Sequence, residues 1–207
     1  MSTITFPSMG FVSSQWGIQY NTQTFVSPLN GATQVRYLPG AKWKADYTTR
    51  VYEYNTDKCQ EIIAFLSQLQ GRFNDFAAYD PDYTGPRGSF DSGTSTPLVN
   101  GSSQTGNSLA VDGLATSQTA ILKPGDYFTV NSELHRINAS IDSDASGTAT
   151  LTFDPPLKDS PSDNATVDVP DTATILMRLD SDSQSIFSTE QKKLVQFNFS
   201  ATERLDV

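Results

Sequence analysis

His135 is the only histidine of the chain. Ser-His-Asp and Cys-His catalysis and most zinc centres need an imidazole with positioned partners, so any such chemistry would run through this residue. It sits in Glu133-Leu134-His135-Arg136, on an expected strand in a Ser/Thr-rich stretch, and reads as a solvated strand residue. Asp80, Asp82 and Asp91 offer the paired carboxylates that glycosidases use, a pairing that requires a cleft and a set separation. Asp-Pro-Asp is also an ordinary turn sequence. Asp142-Ser143-Asp144-Ala145-Ser146-Gly147 opens like a calcium loop, but the bidentate carboxylate due at the twelfth loop position falls on Phe153. An Asp/Ser/Gly hairpin turn accounts for the same residues. The aromatics Trp16, Tyr20, Trp43, Tyr47, Phe73 and Phe76 could stack on a sugar; alternating along strands, they read as core or subunit interface. Cys59 is the only cysteine, which excludes an intrachain disulfide and a thiolate metal cage. Neither G-x-x-x-x-G-K nor G-x-S-x-G occurs. The expectation is a non-enzyme with no catalytic, cofactor-binding or metal residue and no cofactor.

The elements that would carry these residues are mainly strands. Trp16, Ile18 and Tyr20 alternate with polar or small residues, as in a half-buried strand. Ser27-Pro28-Leu29-Asn30-Gly31 reads as a turn, Thr33–Leu38 as a strand broken by Pro39-Gly40, and Lys42–Tyr47 as a third strand. Cys59, Ile62, Ile63, Leu66 and Leu69 then recur every three or four residues, predicting one helix over 58–70, capped by Asp57 with Gln60 and ended by Gly71. Phe73 and Phe76 resume an extended segment. Thr119–Leu122, Tyr127–Val130, Leu134–Ile141 and Thr148–Phe153 read as strands of a smaller unit, the last ended by Asp154-Pro155-Pro156. Residues 89–108 and 158–170 read as flexible connections. Thr174–Leu179 and Leu194–Ala201 are strands again, and neither can bury its apolar face alone. The expected architecture is therefore mainly β: a split barrel or sandwich with one helix, formed by residues 1–95 and 171–207, and a small all-β domain, residues 96–170, inserted between them.

The 207 residues carry a net charge of −9. Nucleic-acid binders need a basic stripe to displace counterions, so specific nucleic-acid binding is not expected. No apolar run approaches the roughly 18 residues of a membrane span, so membrane insertion is not expected either. The first ten residues show neither a basic stretch nor an apolar run, and the expected site of synthesis and folding is a cytoplasm.

Several stretches, taken together in their order and spacing, resemble a known family. They are Asn21-Thr22-Gln23-Thr24-Phe25, Ser27-Pro28-Leu29-Asn30-Gly31-Ala32-Thr33-Gln34, Leu38-Pro39-Gly40-Ala41-Lys42-Trp43, Ala64-Phe65-Leu66, Leu69-Gln70-Gly71-Arg72, Asp80-Pro81, Pro86-Arg87-Gly88 and the ending Val195–Leu205. Residues 122–157, with Pro124-Gly125-Asp126 and Pro155-Pro156-Leu157, follow more loosely. The chain is similar in these to the distal tail (hub) proteins of phages and prophages. The resemblance implies a structural virion protein: a homo-hexameric ring below the tail tube, at the distal end of the tail. It would join the tube protein to tip or baseplate proteins, with a second β domain pointing outward. Under it, the net −9 suits a lumen through which DNA passes. A carbohydrate-binding module or host-recognition adhesin, resting on the aromatics, and a glycan hydrolase, resting on Asp80, Asp82 and Asp91, are the other readings of the residues.

Overall fold

Ala41, Trp43, Ala45, Tyr47 and Thr49 are buried, while Lys42, Lys44, Asp46 and Thr48 between them are half-buried. That period of two is a strand with one face in a core, and it organises the larger of two packed bodies of sheet. The computed structural model describes residues 2–188 and 193–205. In chain order the elements are β1 (Thr3–Ile4), β2 (Phe11–Val26), β3 (Thr33–Thr49), β4 (Tyr52–Glu53), α1 (Asp57–Gln68) and β5 (Asp75–Tyr79). There follow β6 (Leu98–Val99), β7 (Gly106–Asp112), β8 (Tyr127–Val130), β9 (Glu133–Ile137), β10 (Ala149–Leu157), β11 (Thr174–Leu179), β12 (Leu194–Val195) and β13 (Asn198–Glu203). The molecule is mainly β with a single helix among the described residues.

One six-stranded sheet runs β1-β5-β11-β13-β3-β2, and a five-stranded sheet runs β6-β7-β10-β9-β8. Strands from both ends of the chain share the first sheet: β11 lies between β5 and β13, and β13 pairs with β3 from Asn198↔Thr48 to Thr202↔Lys44. A further pair, β12 with β4, closes the helix end. Helix α1 packs its Cys59, Ile62, Phe65 and Leu66 against the sheet. Phe6, from the irregular N-terminal segment, fills the space between, with ring contacts to Phe65, Phe76, Tyr47 and Phe199 at 5.3–6.2 Å. Such offset and edge-on pairs add to the area they bury.

The helix differs at both ends from its sequence reading. Thr56, not Asp57, is the N-cap, its hydroxyl accepting from the Cys59 amide at 3.4 Å. Gln60 donates to the Tyr54 carbonyl instead of closing a capping box. At the other end Gln70 (φ 51°) takes the left-handed conformation before Gly71 (φ 66°), and the Asp182 carboxylate comes so close that a Cβ on Gly71 would lie 2.6 Å from it. Ile63 is only half-buried; Phe65 takes the core position instead.

Prolines proved weaker punctuation than expected. Pro39-Gly40 does not break a strand: β3 runs through it, because Gly40 adopts φ 102° and a register shift between Gln19 and Asn21 on β2 absorbs the irregularity. Likewise β10 continues through Asp154-Pro155-Pro156, with a cis bond before Pro155 and a register shift. Residues 89–108 and 158–170 are not free connections. They contribute β6 and part of β7, and Val99, Val167 and Val169 belong to the second core with Leu109, Phe128 and Phe153. Residues 119–122 form only the bridge Leu122↔Ile141, β9 stops at Ile137, and Leu194–Ala201 is split between β12 and β13.

The two bodies of sheet meet along a polar seam. Trp43 Nε1 donates to the Leu134 carbonyl at 2.8 Å, and Tyr127 Oη donates to Asp80 at 3.0 Å. Lys158 pairs with Glu203, which also accepts the Trp43 amide at 2.9 Å. Tyr127 and Leu134, from the second sheet, are part of the first core.

Candidate functional site

The candidate catalytic residues are dispersed into structural tasks. His135 is fully buried, not solvated, and lies against Phe128 and Phe153 with ring centroids 5.1 and 4.7 Å away. Its Nδ1 is 2.8 Å from the Pro155 carbonyl, and Nε2 faces Glu133 at 3.5 Å. Burial would raise the Glu133 carboxyl, but the facing imidazole and the Lys158 amide outweigh it and hold the group below the ordinary glutamate range. Asp80 receives the Tyr127 hydroxyl and the Asp82 amide; burial, then the charge of Asp80, pushes the Tyr127 hydroxyl well above its usual value. Asp91 closes a local turn with Gly93 and Thr94. Asp144 spends its carboxylate on Ser146, Thr148 and the turn between them, and Phe153 is in the core. Trp43, Tyr47 and Phe76 are buried and present no ring to a sugar; Trp16 is half-buried, and Tyr20 and Phe73 are exposed.

The exposed feature that the sequence reading passed over is the hairpin of β2 and β3. Their pairing continues from Phe11↔Thr49 to Val26↔Thr33. Beyond the register shift at Gln19 and Asn21 no third strand among the described residues joins them, and residues 19–37 are exposed except for Ser27. Tyr20, Phe25, Val26, Val35 and Tyr37 all stand in solvent on this arm. A two-stranded ribbon without a covered face is marginally stable in water. At its tip Leu29 is 96% exposed. The turn beneath it is tightly bonded, Ser27 N to Ala32 O at 2.8 Å, Gly31 N to Ser27 O at 3.0 Å and Ala32 N to Asn30 Oδ1 at 3.0 Å.

β2 is also the outer strand of its sheet. Natural edge strands are kept short or are blunted with charge, proline or bulges. β2 spans 16 residues with two register shifts but no proline and no charged side chain, and the first charged side chain of the sequence is Arg36. The arm and the edge together form one continuous surface on which Arg36 is the only charged side chain.

At the root of the arm lies a cavity of about 550 Å³, walled by both bodies of sheet. Its apolar wall includes Tyr37, Leu157, Leu176 and Leu205. Two of its three carboxylates are already engaged, Glu203 by Lys158 and Trp43 and Glu133 by the amides of Lys158 (3.0 Å) and Asp159 (3.3 Å), while the side chain of Asp159 is exposed. Nearby, Asp75 is held by Arg178 Nε at 2.8 Å and Arg204 Nη1 at 2.6 Å. Burial alone would raise the Asp75 carboxyl; the two guanidiniums overcome it and hold the group below the ordinary aspartate range.

No family model and no curated protein matches this chain. No helix among the described residues is long and apolar enough to cross a membrane.

Proposed function

We propose that this protein is a structural ring subunit of a bacteriophage tail, a hub at the distal end of the virion that joins the tail tube to tip or baseplate proteins, and that it has no enzymatic role. The observation that carries the reading is the uncovered β2–β3 arm, whose strand β2 runs on as the charge-free outer strand of the sheet, 16 residues in all. Such an edge pairs readily with another chain. A hairpin arm and a sheet edge are different patches, and joining unlike patches head to tail generates rings when the rotation closes. The sequence resemblance to distal tail proteins names the assembly in which such a ring would serve, with six copies.

The charge distribution does not single out a DNA-conducting lumen. Nine acidic and only three basic residues fall within 96–170, whereas the half-buried face of the six-stranded sheet presents Lys42, Lys44, Arg178 and Arg204 beside Asp46 and Asp180. The acidity of the chain belongs mostly to the second body of sheet, the part that would point outward.

Light scattering coupled to size exclusion tests the reading: a closed oligomer of about six chains is expected, seen as rings in negative-stain images, and the protein should occur in purified tails at ring stoichiometry. A strict monomer absent from tails rules it out.

A further inference from the structure

We propose that the tip of the arm, centred on Leu29, seats in the cavity at the root of the arm of the next copy of this chain. The inference deepens the ring reading and rests on it, by naming the two surfaces that meet.

Leu29 is an apolar knob on a hydrogen-bonded turn, flanked by the exposed Phe25 and Val26. The tip carries no charge to desolvate: residues 1–35 contain no charged side chain. The cavity is its complement. Four of the five charged side chains on its wall, Glu133, Lys158, Glu203 and Arg204, already have partners within the chain, the exposed Asp159 being the exception, and the apolar part of the wall is Tyr37, Leu157, Leu176 and Leu205. An ionic ligand addressing those four would have to displace their pairs, whereas an apolar one would not, and burying apolar area is favourable.

The tip is held away from its own cavity. Thr33, at the far end of β3, is four residues along one extended strand from Tyr37, the nearest wall residue, and seven from Gly40, about 13 and 23 Å at the usual rise. The turn at residues 27–32 is bonded to itself and does not fold back. The occupant is therefore a second copy. Tip and cavity alone fall short of the roughly 800 Å² per partner of a stable interface. The free edge of β2 runs from the same arm toward the body and supplies the remaining area by strand pairing.

Cysteine pairing tests this, because the native Cys59 is fully buried. Purified Leu29→Cys and Leu176→Cys chains are mixed and oxidised with copper phenanthroline, and a chain carrying both substitutions is treated in parallel. A mixed covalent dimer is expected from the mixture and a ladder of oligomers from the double variant. In addition, Leu29→Asp should raise the concentration needed for assembly at least tenfold, while its circular dichroism and thermal midpoint stay at wild-type values. If the wild type assembles but Leu29→Asp assembles equally well and no mixed dimer forms, the tip docks elsewhere and the inference is overturned while the ring reading stands. A Leu29→Cys dimer joining tip to tip overturns it in the same way. A wild-type chain that stays monomeric at every concentration, with no place in tails, removes both.

Discussion

Trp43 and Trp16 stack at 5.7 Å yet carry opposite obligations. Trp43 is fully buried, with its indole N–H committed to the Leu134 carbonyl across the seam and Arg136 5.6 Å from its ring. Trp16 is half-buried, and its buried N–H has no partner among the described residues. Trp43→Phe should therefore cost about 1–3 kcal/mol, since it orphans a buried carbonyl, whereas Trp16→Phe should change stability by less than about 0.5 kcal/mol. Urea midpoints of the two variants check the contrast. Asp75 makes a second prediction. Its carboxyl is depressed in the folded chain, so the stability it contributes is present above the ordinary aspartate pKa and is lost as pH falls through the folded value. Asp75→Asn should cost about 2–3 kcal/mol at neutral pH, less than a fully buried pair because both arginines are partly exposed. The variant should also show a shallower fall in stability between about pH 5 and pH 2. Identical acid slopes for the two proteins would remove Asp75 from the account.

Among the elements, α1 was legible because its signals are local: an apolar stripe at spacings of three and four, and a glycine just past the end. The cap was misplaced by one residue because Thr56 and Asp57 are both good caps, and only the backbone decides which one is extended (Thr56, ψ 147°). Thr56→Ala should accordingly lower stability by about 0.5–1 kcal/mol and Asp57→Ala by less, readable from thermal midpoints. Strand β11 was legible to the residue because its alternation is uninterrupted. The boundaries at Pro39-Gly40 and Asp154-Pro155-Pro156 were not: a proline whose missing N–H falls outside the ladder, or at a bulge, does not end a strand. His135 misled because polar neighbours suggested solvent, when Glu133 beside it is itself buried against the amides of residues 158 and 159. The arm left one trace in the sequence, the absence of charge before Arg36, but nothing local says whether an uncharged strand lies in a core or in solvent. Replacing residues 23–36 with Asn-Gly would join Thr22 to Tyr37, a cross-strand pair, by a two-residue turn. That chain should keep its thermal midpoint within a few degrees, because the deleted ribbon packs on nothing, and should lose its assembly in light scattering.

At the scale of the whole molecule, the two bodies of sheet are joined by groups that need partners rather than by apolar contact alone. Leu134 O with Trp43, Asp80 with Tyr127 and Glu203 with Lys158 each leave a buried or half-buried polar atom bare if the bodies separate. Parting them therefore carries a desolvation cost that a purely apolar joint would not. A ring built on such subunits would hold its outer bodies at a fixed angle.

That β13 lies between β3 and β11 also sets a calendar for synthesis. A ribosome delivers strands 98–157 as one contiguous block, able to pair the moment they emerge, but the sheet begun by β1, β2 and β3 stays incomplete until β11 and β13 have been translated. The middle of the polypeptide can therefore mature before the strands that precede it have found all their partners.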